Sequence, residues 1–198
     1  MNRICQKLYT GGLNWAATVA KTGVWCYTPG KTDGKGVQGM VTLRKITAEN
    51  LCQIVALEVA PEQRSFVASN NNSILEAYAA ISGGGVALPL GVYRGETPVG
   101  FVMLSYGCED WPDAPAIAHD NYCIWRLMID HRWQGQGLGR AALEAALRYI
   151  RTLPWGPAEW CWLSYEPENT AAKALYHSCG FRETGDRDGG ELIAALRL

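Results

Sequence analysis

Histidine is scarce in this chain: three residues, His119, His131 and His177, lie far apart among 198. A metal centre built on imidazoles has nothing to draw on, and no metal is expected. Cysteine is not scarce, but its pairing patterns are missing. The seven cysteines (Cys5, Cys26, Cys52, Cys108, Cys123, Cys161, Cys179) contain no Cys-x-x-Cys. An odd, unclustered set reads as reduced thiols of a cytoplasmic protein, not as a disulfide frame. Excess charge is absent as well. With 18 basic and 19 acidic residues the net charge is −1, and neither nucleic acid nor an anionic membrane is expected as a partner. No apolar run approaches a bilayer span. The stretch Leu13–Ala20 is short, interrupted by Asn14, and lacks a cleavage pattern, so it does not read as a secretory signal.

What is present is a core. Apolar residues make up 48% of the chain, and the length suits one domain with an extension. The extension is residues 1–39, which carry Arg3, Lys7, Lys21, Lys31 and Lys35 against a single acid, Asp33. Their Gly/Lys/Thr-rich close predicts a poorly ordered segment, with the domain proper occupying residues 40–198.

From Met40 the pattern is α/β. Val41–Ile46 alternates as a strand, and Thr47–Asn50 caps a helix carrying Leu51, Ile54, Val55 and Glu58. A broken helical stretch runs past Tyr78 and Ile81 to Gly83-Gly84-Gly85. Val86–Tyr93 and Val99–Ser105 form a hairpin around Arg94-Gly95-Glu96. After an Asp/Pro-rich loop (109–120), Tyr122–Ile129 is a strand, and an amphipathic helix follows from Gly137. That helix sets Leu138, Ala142, Ala145 and Tyr149 on one face, and Arg140, Glu144 and Arg148 on the solvated one. Glu159–Tyr165 is another strand, Asn169 caps a short helix that Gly180 closes, and a last antiparallel pair turns at Asp188-Gly189-Gly190.

The stretch richest in chemistry runs from Arg126-Leu127-Met128-Ile129-Asp130 into Gln134-Gly135-Gln136-Gly137-Leu138-Gly139-Arg140. A strand passes through a nearly side-chain-free loop into a helix N-terminus. Backbone N–H groups there point at whatever occupies the loop, which suits a phosphate or pyrophosphate. A Walker A loop is excluded, because Gly139 is followed by Arg140-Ala141 where Lys-Ser/Thr is needed. Gly137-Leu138-Gly139-Arg140-Ala141-Ala142 meets the loose dinucleotide pattern, but too little chain follows for a doubly wound sheet. A plain glycine-rich helix start explains one glycine, not three at alternate positions.

The third reading is Gln134-x-x-Gly137-x-Gly139, which resembles the acyl-CoA pyrophosphate loop of the GNAT N-acetyltransferase superfamily. Downstream, Asn169, Ala171-Ala172, Leu175-Tyr176 and Gly180-Phe181 resemble the second signature of the same superfamily. Arg126–Asp130, Leu163-Ser164-Tyr165-Glu166-Pro167-Glu168-Asn169 and the upstream blocks Glu62–Asn70 and Ser73–Tyr78 are similar to bacterial spermine/spermidine-type acetyltransferases. The resemblance spans about residues 40–198.

The resemblance implies a GNAT fold: a mixed central sheet of about six to seven strands flanked by helices, splayed at the acyl-CoA site. It implies acetyl-CoA as cosubstrate, held by Gln134, Gly135, Gln136, Gly137, Leu138, Gly139 and Arg140, with the pantetheine arm along Leu127, Met128 and Ile129 and a further contact at Asn169. Tyr176 takes the place of the family's tyrosine near the thioester sulfur, where a phenol can protonate the departing thiolate. The acid that animal polyamine acetyltransferases carry on the strand before the loop registers on Trp125 here. The base therefore stays open between a water relay and prior deprotonation. Candidate receptors for a cationic amine are Glu62 and Glu76, and the loop acids Glu109, Asp110, Asp113 and Asp120. The reaction implied is acetyl transfer to a primary amine of a small molecule, a polyamine. An aminoglycoside-like amine, a peptide amino group and a catalytically silent acyl-CoA-binding module are the alternatives. A homodimer is left open.

Overall fold

The computed structural model describes residues 41–108 and 114–198. The expectation for residues 1–39, and the candidate acids Glu109, Asp110 and Asp113, lie outside the described residues. The described elements form one compact unit, Gly39–Leu198. Its strands are β1 Val41–Lys45, β2 Val86–Arg94, β3 Thr97–Tyr106, β4 Tyr122–Ile129, β5 Trp160–Tyr165, β6 Arg182–Asp188 and β7 Glu191–Arg197. The helices are α1 Leu51–Val55, α2 Asn70–Ser82, α3 Leu138–Ile150 and α4 Thr170–Ser178, with short 3-10 turns at Pro61–Gln63, Ala116–Ala118 and His131–Trp133.

The strands form a single sheet in the order β1-β2-β3-β4-β5-β7-β6. All neighbours run antiparallel except β4 and β5, which are parallel. That exception follows from the chain path. The α3 crossover returns the chain in the direction of β4, whereas every other neighbouring pair is antiparallel. The last hairpin enters by its second strand, so β7 lies between β5 and β6.

Each face of the sheet is covered. One carries α3 and α4, with Leu138, Ala142, Leu143, Ala146, Leu147 and Ile150 buried against Val92, Val102, Leu104 and Ile124. The buried stripe of α3 is centred further round than its sequence suggested. Leu143 and Ala146 are fully buried, while Tyr149 is only half-buried and packs edge-on to Trp155. On the other face Ile54, Leu57 and Ala77 meet Tyr93, Phe101, Met103 and Met128. α1 stops at Val55, short of Glu58, whose backbone is taken by distant partners instead: its N–H donates to Asp130 Oδ2 at 3.1 Å and its carbonyl accepts from His131 N at 2.9 Å.

The strand ends are closely fitted. A Cβ on Gly100 would lie 2.4 Å from the Met128 carbonyl oxygen and 2.8 Å from Ile129 Cδ1, so only glycine lets β3 approach the end of β4. Cys108, Cys123 and Cys161 are buried free thiols, and Cys179 is half-buried and free. Burial pushes the Cys123 and Cys161 thiols up, which leaves them inert packing residues.

Candidate active site

The site begins where β4 leaves β5. The two strands share only the pairs Tyr122↔Cys161 and Cys123↔Trp162, and beyond these they part. β4 is also bulged against β3. Met103 faces Arg126 and Leu104 faces Ile124, which makes Trp125 the extra residue. The parting opens a cleft of about 350 Å³. Ile124–Ile129 form one side, and Gln134, Gly135 and Gly137–Gly139 close one end. Ser164, Tyr165, Asn169 and Tyr176 form the facing wall, and Val59, Gln63, Phe66 and Val67 reach in from the segment between α1 and α2.

The glycine loop has the shape its spacing implies. Gly135 and Gly137 have φ of 73° and 75°, and an added Cβ at either would meet no atom within 4 Å. Backbone conformation, not crowding, requires glycine there. Gly137 is the N-cap of α3 and supplies no side-chain cap. The first N–H groups of α3 are therefore left to an external acceptor, with the positive end of the helix dipole behind them. Gly139 is different: its Cβ would sit in ordinary contact with Leu175 Cδ2 at 3.5 Å. Gln134 Nε2 donates to the Ile129 carbonyl at 2.9 Å and to Gln63 Oε1 at 2.8 Å, tying the loop to β4 and to the α1–α2 segment.

On the facing wall, Asn169 caps α4, its Oδ1 accepting from Ala172 N at 3.1 Å. Tyr176 is buried between Tyr165 and Phe181, with ring centroids 5.5 and 6.1 Å away. Burial pushes the Tyr176 phenol well above its ordinary range, and Glu191, Tyr165 and Cys123 add to the rise. Tyr165 is raised to about 12 by burial and by Glu183, to which its hydroxyl donates at 2.8 Å. Glu191, at the head of β7, also lines the cleft, and its Oε2 accepts a hydrogen bond from the Ser164 hydroxyl.

The family model for the acetyltransferase (GNAT) family matches residues 71–181. The chain belongs to the GNAT acetyltransferase family. A spermine/spermidine N(1)-acetyltransferase from Bacillus subtilis (strain 168) is 29% identical over 161 residues, spanning 80% of this chain and 99% of that protein. In fold the chain is similar to the aminoglycoside acetyltransferase AAC(6')-Ib solved with coenzyme A, with a TM-score of 0.65, 16% identity and coverage of 79% and 94%. It is also similar to the PaiA N-acetyltransferase from Thermoplasma acidophilum in complex with coenzyme A, with a TM-score of 0.54, 17% identity and coverage of 80% and 99%.

In this GNAT chain the sequence-derived residues divide clearly. Leu127, Met128, Ile129, Gln134, Gly135, Gly137, Leu138, Gly139, Asn169 and Tyr176 all line the cleft. Gln136 and Arg140 do not. Gln136 Oε1 accepts from Arg94 Nη1 at 3.1 Å, and the Arg140 side chain turns toward the Ser178 carbonyl at 3.4 Å and Glu144 at 3.8 Å. Only their backbones remain available to the loop. Glu62 is exposed and outside the cleft lining, though its neighbour Gln63 is within it. Glu76 accepts from Arg126 Nη2 at 3.1 Å. Among the described residues no cluster of His, Cys, Asp and Glu could hold a metal ion, and no helix is long and apolar enough to cross a membrane. Sequence reasoning missed Glu191 as a cleft residue. No local signal marks it, since β7 is buried on both faces: Ile193 and Ala194, of opposite strand parity, are both fully buried.

Asp130 holds the site together. It is 1% exposed, yet it accepts from Glu58 N at 3.1 Å, from Arg132 N at 3.1 Å, and from Arg132 Nε and Nη2 at 2.7 and 3.0 Å. Burial alone would raise its pKa; those hydrogen bonds and the Arg132 charge outweigh burial and hold it below the usual range. A depressed carboxylate stabilises the fold fully above its unfolded value, near ~3.9, and loses that contribution as pH falls through the lower folded value. Asp130→Asn is accordingly expected to lower the denaturation midpoint at neutral pH and to flatten the acid limb of stability below about pH 4. Urea melts across that range check it; parallel wild-type and variant curves would show that Asp130 carries no linkage.

Proposed function

We propose that the cleft binds acetyl-CoA and passes its acetyl group to a primary amine of a polyamine. The observation that carries this is the open parting of β4 and β5 beside an uncapped, glycine-led helix N-terminus. A strand edge and a ring of free N–H groups meet there in one cleft. The residues fit the cosubstrate. The N–H groups from Gly135 to Arg140 suit a pyrophosphate, the backbone of Leu127, Met128 and Ile129 suits an extended amide-bearing arm, and Asn169 stands on the opposite wall. Acetyl-CoA supplies the acetyl group as a thioester.

Tyr176 supplies the proton for the leaving sulfur. With its pKa raised by burial and by Glu191, it stays neutral and a donor throughout physiological pH. The polyamine assignment rests on the B. subtilis relative, which aligns over nearly its whole length. Because Glu76 is already paired with Arg126, its use as a receptor for the far end of a long amine requires that pair to be shared or opened. Release of CoA thiol should be tested with spermidine, kanamycin and a peptide with a free α-amino group. Spermidine is expected to be turned over fastest, and faster with rising pH, since a free amine near pKa ~10 is mostly protonated at neutrality. Faster turnover of either competitor would replace the polyamine assignment.

Gly137→Val tests the loop. A β-branched residue at φ 75° is strained and puts carbon where the anion approaches. The variant, shown folded by circular dichroism, is expected to bind acetyl-CoA at least about tenfold more weakly by calorimetry, roughly 1.4 kcal/mol. Unchanged affinity would remove the loop from the binding site. Tyr176→Phe keeps the ring packing and deletes the hydroxyl. It should lower kcat by about 10²–10⁴-fold with little change in acetyl-CoA affinity. Near-wild-type turnover would return Tyr176 to a packing role.

A further inference from the structure

The acids around the cleft are not equivalent. Asp130 is consumed by Arg132 and by backbone N–H groups. Glu76 is consumed by Arg126. Glu183 sits 2.8 Å from Lys173 Nζ and also accepts from Tyr165. Glu191 alone of the four has no charged partner among the described residues: its carboxylate accepts from the Ser164 hydroxyl. It lines the cleft with Ser164, Tyr165 and Tyr176, at the head of β7 beside the Gly189-Gly190 turn. A cleft-lining carboxylate with no cation on it is available to a charge-assisted hydrogen bond from one that enters. In a cleft that takes an amine, the amine is that cation.

We propose that Glu191 is the carboxylate that anchors the acceptor amine and takes the proton its nitrogen sheds during acetyl transfer. This rests on the acetyltransferase reading of the cleft. The ammonium drawn in by Glu191 first releases one proton to solvent; the neutral amine nitrogen then forms the C–N bond to the thioester carbonyl carbon, and its second proton passes to the Glu191 carboxylate. The C–S bond breaks, and the sulfur takes the Tyr176 proton. Solvent then returns a proton to Tyr176 and removes one from Glu191, leaving an amide and a free thiol. Ser164 is the positioning residue. Its hydroxyl donates to Oε2 and leaves Oε1 for the amine. This supplies from β7 the carboxylate that β4 lacks at Trp125.

The test compares wild type, Glu191→Gln, Glu191→Asp and Ser164→Ala, each shown folded by circular dichroism, on spermidine, kanamycin and the free-α-amino peptide. For any amine that the wild type acetylates, Glu191→Gln is expected to lose about 10²–10⁴-fold in kcat/KM. Acetyl-CoA affinity by calorimetry should be unchanged, Glu191→Asp should recover part of the rate, and Ser164→Ala should fall between. A Glu191→Gln rate within about threefold of wild type would overturn the proposal. So would a parallel loss of acetyl-CoA affinity, which marks a structural role. Wild-type binding of acetyl-CoA with no turnover of any of the three amines would instead overturn the acetyltransferase reading on which the proposal stands.

Discussion

Everything at this site depends on β4 and β5 being held apart. After two residue pairs the strands diverge, and a parallel pair that opens in this way leaves backbone polar groups without a neighbouring strand. Such an opening persists only if something else fixes both banks. On the β4 side, Asp130 N donates to the Val99 carbonyl at 2.9 Å and Gln134 Nε2 caps the Ile129 carbonyl, so the strand end is tied in two directions. On the β5 side, Asn169 turns the chain into α4, whose Tyr176 and Leu175 fill the space behind the wall. The opening is built, not left over.

The electrostatics follow from the same geometry. A closed sheet would bury the centre of the molecule in hydrocarbon. The parted one admits polar groups, but each must be satisfied. Asp130, Glu76 and Glu183 meet that demand with arginine or lysine. Tyr176 meets it by remaining neutral, which burial and the neighbouring Glu191 enforce together. The cleft thus presents a phenol held protonated and a carboxylate together. That arrangement is what a transfer needing one acid and one base can use.

Much of the fold was legible because its signals were local. Tyr122–Ile129 begins and ends where its β-branched and aromatic run does, Gly137 starts α3, and Asn169 and Gly180 bracket α4. These are effects of alternation, capping and left-handed glycine, which act within a few residues. The cleft-lining loop was legible for the same reason. What was not legible is set by partners distant in sequence. α1 ends early, the buried stripe of α3 is rotated, and the Gln136 and Arg140 side chains turn away toward Arg94 and Ser178. Glu76 could be read as a free acid only because Arg126, 50 positions later, could not be seen beside it.

The bulge at Trp125 connects these points. Inserting one residue into β4 brings Arg126 to the same side as Trp125, its guanidinium 5.6 Å from the indole ring and bonded to Glu76 on α2. The face of β4 toward α2 therefore contributes an aromatic ring already engaged by the Arg126 guanidinium, and that cation itself; neither can accept a proton. Glu76 is needed to offset that cation, so it cannot also serve as an uncommitted acid. With β4 and α2 occupied in neutralising each other, the carboxylate that lines the cleft comes from another strand. β7 lies next to β5 by the topology of the sheet, and its first residue, Glu191, reaches Ser164 across that pair. The Arg126–Glu76 pair that occupies the β4–α2 face and the cation-free Glu191 in the cleft are thus two sides of one electrostatic arrangement.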